Sequence, residues 1–186
     1  MSASDIRLIS NGDSVLVVVD MQGKLIPKIF DQHTVISNIV TLIKSAEILN
    51  IPIIVTEQYP KGLGPTIPEI KDIIVPWQPI EKISFSCFGS GNFPKKLKGL
   101  GKNNLILCGI ESHVCIMQTA LNGLKSNYSV FFVKDAISSR TENNRETGFE
   151  RMAQAGAIPV STEMAMFELL READTDKFKQ MISMIK

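Results

Sequence analysis

Residues 14–20 read SVLVVVD, five consecutive apolar side chains, most of them β-branched, closed by an acid. A run this short and this uniform has no polar face, as expected for a strand buried on both sides of a parallel sheet. Residues 51–56 (IPIIVT), 103–110 (NNLILCGI) and 129–136 (SVFFVKDA) have the same character. Between them the period changes. Over 34–50, Val35, Ile39, Leu42, Ile43, Ala46 and Leu49 fall at helical spacing, with Thr34 placed to cap.

From Ser112 onward Val114, Met117, Leu121 and Leu124 share a helical face that ends between Gly123 and Asn127. Residues 143–156 predict a helix stopped by Gly156, and 157–162 a last short strand. Thr162 is placed to cap the helix that opens EMAMFELL, and a charged amphipathic helix spans 174–186. A short extended piece is expected around EKISF, followed by a small helix near 93–100. The Pro- and Gly-rich stretch from about 57 to 79 is too long for a simple connection.

Strands alternating with helices predict βαβ units, and hence a mostly parallel sheet with helices on both faces. With 186 residues and no linker, repeat or low-complexity tract, one domain spanning 1–186 is expected. Such sheets take ligands beyond the carboxyl ends of their strands, where strand order reverses. Polar residues just after strands are therefore the first candidates for chemistry.

Composition narrows the classes. Twenty basic residues against nineteen acidic ones give a net charge of +1, without a basic block. The densest basic stretch, PKKLKGLGK at 94–102, reads as a solvated loop and helix face, so a nucleic-acid partner is not expected. No apolar run approaches a membrane span, and MSASDIRLIS carries no apolar signal core, so neither a membrane partner nor export is expected. Three cysteines are too few, and odd in number, for a disulfide scaffold, which points to a reducing, cytosolic setting.

Three residues invite chemistry. Asp20 ends the first strand, where a partly buried acid suits general-base work, although a turn-forming role would also place an acid there. Cys115 lies in CGIESHVCIMQTA at 108–120. With Ser112 as N-cap it would occupy the third helical position, where the dipole and free amides should lower its pKa and could bind an oxyanion. A small core residue would also fit there. Lys82, among Ile83, Phe85 and Phe88, could place an ammonium beside both.

Other features are weaker. Cys108 belongs to an apolar strand, and Cys87 sits in a loop that could face the site. No metal is expected, because C-x-x-C and H-x-x-x-H spacings are absent and the chain has only two histidines. His113, two residues from Cys115, does not face it across a helix and is assigned to the pocket wall or packing. KGLGPT and GSGN match no phosphate-binding pattern and there is no G-x-S-x-G elbow, so no nucleotide cofactor is expected.

Asp20 in VDMQ, Lys82 in EKISFSCF and Cys115 in GIESHVCIMQTA, in that order, resemble the isochorismatase-like cysteine hydrolases. The likeness runs from about residue 12 to 170, and TEQYPKGLGPT (56–66) is most similar to the isochorismatase-domain-containing subgroup. The resemblance implies a Rossmann-like three-layer α/β/α fold, an Asp20–Lys82–Cys115 triad, and a homo-oligomer. It also implies a cis peptide at Ile110–Glu111 that aims the amides of Glu111 and Cys115 into an oxyanion hole.

Two departures bear on the substrate. Isochorismatases that cleave a vinyl ether lack the nucleophilic cysteine, so Cys115 points to acyl transfer. Family nicotinamidases carry an Asp and two His after the second strand, whereas this segment has no histidine. The expectation is a cofactor-free hydrolase of a small amide or related acyl compound, with Gln22, Tyr59, Phe88 and His113 as substrate-binding candidates. The alternatives are a non-catalytic ligand-binding module, or a thiol redox sensor in which Cys87 resolves an oxidised Cys115.

Overall fold

The computed structural model describes residues 7–184. Its strands are β1 (Ser14–Val19), β2 (Ile53–Gln58), β3 (Ile80–Lys82), β4 (Asn104–Ile110), β5 (Ser129–Ser138) and β6 (Ile158–Val160). Its helices are α1 (Gln32–Leu49), α2 (Pro60–Leu63), α3 (Pro68–Lys71), α4 (Asn92–Leu100), α5 (Met117–Lys125), α6 (Glu142–Gln154), α7 (Thr162–Leu170) and α8 (Asp176–Ile182). All strands are parallel in the order β3-β2-β1-β4-β5-β6, so strand order reverses between β1 and β4.

The uniform run of β1 is explained by its surroundings. Leu16 and Val18 enter a core packed by α1, α3, α7 and α8, while Val15, Val17 and Val19 enter a second core packed by α4, α5 and α6. Each such side chain, once buried, stabilises the fold by about 1.5–3 kcal/mol. A polar residue on either face would lose this and leave a group without a partner. All six predicted face residues of α1 are buried.

Gly109 brings β4 close to β1 at the edge that matters. It has φ +113, and a Cβ there would overlap the carbonyl oxygen of Val19. The peptides Ile110–Glu111 and Val75–Pro76 are cis.

Several predicted boundaries and caps are corrected. α1 starts two residues before Thr34, whose hydroxyl donates to Asp31 Oδ1 inside the first turn. The 57–79 stretch contains α2 and α3, and a bridge from Thr66 to Gln22 ties it to the end of β1. Ser161 caps α7 instead of Thr162, which donates through its amide and hydroxyl to Asp135 Oδ1.

The segment after β4 differs most. Ser112–Ile116 forms a π turn before α5, and the Ser112 hydroxyl donates to the Arg145 carbonyl instead of capping. This turn rotates the helix, so Ile116, Thr119, Ala120 and Gly123 are buried, while Val114, Met117, Leu121 and Leu124 are partly covered. α6 fits closely over the turn: a Cβ on Gly148 would overlap the Ser112 hydroxyl. The tail helix α8 ends at Ile182; the expectations for residues 1–6 and 185–186 fall outside the described residues. Among the described residues no helix is long and apolar enough to cross a membrane.

Candidate active site

Four adjacent strands deliver side chains to one point on the sheet's carboxyl edge. Asp20 follows β1, Gln58 and Lys82 close β2 and β3, and Cys115 lies in the turn after β4. Asp20 and Cys115 therefore flank the reversal of strand order, where α/β sheets hold their ligands. Gln58 and Lys82 are register partners, so their side chains emerge side by side.

Lys82 Nζ lies 2.6 Å from Asp20 Oδ2, with both side chains removed from solvent. The other ammonium protons go to Gln58 Oε1 at 2.8 Å and the Phe85 carbonyl at 3.0 Å. A lysine has three donors, and all are spent on the protein. Burial works to lower the Lys82 pKa, but the charge of Asp20, with smaller help from Cys115 and Cys87, more than offsets it and raises the pKa above its ordinary value. The second carboxylate oxygen, Oδ1, accepts from the Thr56 hydroxyl at 2.8 Å. Asp20 itself has φ +53 and donates its amide to the Thr56 carbonyl at 3.1 Å.

Cys115 is 7% exposed and lies near enough to Asp20 and Lys82 for both charges to act on it. The expected lowering of its pKa is reversed. Burial pushes the thiol up, the negative charge of Asp20 pushes the same way, and Lys82 only partly opposes them. Position at a helix start is outweighed because desolvation of an anion is the larger effect. Cys115 is thus a thiol that holds its proton more tightly than usual, beside a carboxylate.

Cys87 adjoins the same cluster. It is fully buried, its amide donates to Thr119 Oγ1 at 3.0 Å, and its sulfur lies 3.9 Å from Thr56 Oγ1. Burial, then Asp20, pushes its pKa up to about 11. Cys108 projects into the other core, with its sulfur 3.6 Å from the Val17 carbonyl.

The remaining candidates are spread out. Gln22 is fully buried; its amide donates to the carbonyls of Gln58 and Gly64 and accepts from the Gln58 amide, which braces the end of β1 against β2. His113 Nδ1 lies 3.0 Å from Ser139 Oγ, beside the end of β5. The Glu111 carbonyl accepts from Val114 and Ile116, and its carboxylate pairs with Arg140 at 2.9 Å. Tyr59 is half exposed and lines a cavity of about 580 Å³ beside β3, together with Lys61, Ile83, Ser84 and Asn92. Phe88 packs edge-on to Phe93 and against Gly123 of α5.

Thr56, Gln58 and the Phe85 carbonyl were not anticipated. The rule that picked out Asp20, a polar residue ending an apolar strand, applies equally to TEQ at 56–58. Among the described residues no cluster of three or more His, Cys, Asp or Glu is arranged to hold a metal.

The Isochorismatase domain family model matches residues 14–164. The chain belongs to the isochorismatase family. It is 41% identical over 175 residues to isochorismatase domain-containing protein 2 of Danio rerio, covering 94% of this chain and 87% of that one. It is 37% identical over 188 residues to the secreted isochorismatase effector Isc1 of Phytophthora sojae, covering 97% and 87%.

Among solved structures, the MAR1 ribonuclease of Caenorhabditis elegans is 39% identical with a TM-score of 0.90, covering 96% and 92%. The YcaC gene product of Escherichia coli, described as an octameric hydrolase of unknown specificity, is 27% identical with a TM-score of 0.90, covering 96% and 91%. This isochorismatase-family chain is accordingly a hydrolase with the α/β fold of its relatives.

Proposed function

We propose that this isochorismatase-family hydrolase cleaves a small amide or related acyl compound through a thioester on Cys115, with Asp20 as general base and Lys82 as its partner. The observation that carries this reading is a buried Cys115 thiol beside a carboxylate that Lys82 holds at 2.6 Å.

The chemistry follows from that placement. As Cys115 Sγ attacks the carbonyl carbon, its proton passes to Asp20 and the carbonyl π electrons move to oxygen. The amides of Glu111 and Cys115 would bind that oxygen. Collapse breaks the carbon–nitrogen bond, and the leaving amine takes the proton from Asp20. Water then attacks the thioester, gives a proton to Asp20, and releases the acid as that proton returns to sulfur. A raised resting thiol pKa suits this sequence, because the proton leaves only when attack begins.

Lys82 holds the Asp20 carboxylate in place between transfers. For it to touch the thiolate as well, one of its three hydrogen bonds must open; the Phe85 carbonyl, at 3.0 Å, is the longest of them. His113 and the main chain at Glu111 are the substrate-facing groups assigned to the β4 side, with Tyr59 on the β3 side; Phe88, packed against Phe93, Tyr128 and α5, is a packing residue instead. Gln22 supports the site through the main chain of Gln58.

The protein acts in this proposal as a cytosolic homo-oligomer without cofactor. The oligomer rests on the octameric YcaC product, and the location on the cysteine usage, against which the secreted Isc1 stands as a counterexample. RNA is ranked below a small acyl compound despite the ribonuclease relative, because the nucleophile is a buried thiol and the net charge is only +1. A screen of small amides, ureides, esters and an RNA oligomer against wild type and Cys115→Ala tests the proposal. Turnover of an acyl substrate that disappears in Cys115→Ala supports it; RNA cleavage alone, or turnover retained by the variant, contradicts it.

A further inference from the structure

Asp20 sits on a left-handed backbone at the end of a strand, so neither helix nor ladder fixes its carboxylate. Its orientation must come from side chains. Lys82 takes Oδ2, and Thr56 takes Oδ1 at 2.8 Å while its carbonyl accepts the Asp20 amide. One residue therefore grips Asp20 at two points. Thr56 is completely buried on β2, in register with Val19, and a β-branched side chain there has a restricted χ1.

The hydroxyl has a single proton, and its surroundings dictate where it points. The groups around Asp20 and Thr56 are Lys82 from β3, Cys115 from the turn after β4, and Cys87 from the turn after β3. Cys87, 3.9 Å from Thr56 Oγ1, is a buried thiol that keeps its proton at neutral pH and so turns it toward the hydroxyl oxygen. The hydroxyl proton is left for Asp20, giving a one-way donor chain from Cys87 through Thr56 to the carboxylate.

We infer that Thr56 is a positioning residue for the proton transfer, setting which edge of the Asp20 carboxylate meets the Cys115 thiol. The inference rests on the reading of Asp20 as the group that accepts the Cys115 proton. A charge-assisted hydrogen bond to one carboxylate oxygen fixes the direction in which the other oxygen is presented.

The test measures iodoacetamide alkylation of Cys115 between about pH 5.5 and 9, mapped by peptide mass spectrometry. It compares wild type, Thr56→Val, Thr56→Ser and Cys115→Ala. Thr56→Val should lower the alkylation rate of Cys115 roughly tenfold across this range. Thr56→Ser should restore the rate. A packing role would lower the melting temperature of Thr56→Val but leave the alkylation rate unchanged, and that result overturns the inference. If Thr56→Val does not fold, Thr56→Ala makes the same comparison. Undiminished labelling of Cys115→Ala would instead refute the nucleophile reading.

Discussion

Cys108 and Cys115 are seven residues apart, both buried, and both have thiol pKa values pushed up by desolvation. They differ in their company. Cys108 projects among Leu16, Val18 and Ile106, and burial alone acts on it. Cys115 lies on the opposite face, where Asp20 and Lys82 act on it with opposite signs. Burial makes a thiol inert; a charged pair within reach gives its proton somewhere to go.

The comparison can be broken most directly at Cys115. Cys115→Ala should lower turnover of any acyl substrate by roughly a thousandfold or more, read as kcat/KM, as expected for loss of a nucleophile. Retained turnover would erase the distinction between the two thiols. Lys82→Met should destabilise the fold by about 3–5 kcal/mol, because it leaves Asp20 buried without its cation. The urea midpoint measures this, and an unchanged midpoint would mean that the buried pair does not hold the site together.

Cys108→Ala should cost about 1 kcal/mol of stability by leaving a small void, with kcat/KM within twofold of wild type. A large loss of activity would move Cys108 into the site. The pH effect is the smallest and sharpens the comparison further. Cys87, Cys108, Cys115 and Lys82 all hold their protons more tightly when folded. Their contribution is complete below the ordinary thiol range and is lost as pH rises. The urea midpoint should therefore fall between about pH 8 and 10.5, and less steeply in Cys108→Ala. A midpoint that rises over this range would contradict the raised values.

The sheet was legible because β1 and β4 carry their burial in the chain itself: a run with no polar face can only lie between two layers. The position of Asp20 at the sheet's carboxyl edge was legible for the same reason, as the first polar residue after such a run. Thr56 and Gln58 obey that rule too, but β2 runs to Gln58, two residues beyond the apolar stretch that marked it. Ser112 misled because its spacing fits a cap, whereas its hydroxyl is drawn to the carbonyl of Arg145 by the packing of α6. The direction of the Cys115 shift was illegible because it depends on how closely three strands bring Asp20, Lys82 and the core around one sulfur. Sequence spacing carries none of that.

The central claim is that Cys115 becomes acylated with Asp20 taking its proton. Incubation with a small activated ester, followed by peptide mass spectrometry, tests it in one measurement. An acyl thioester on Cys115 in wild type, absent from Cys115→Ala and strongly reduced in Asp20→Asn, is the predicted result. Acylation confined to another residue, or undiminished on Cys115 in Asp20→Asn, would contradict the account.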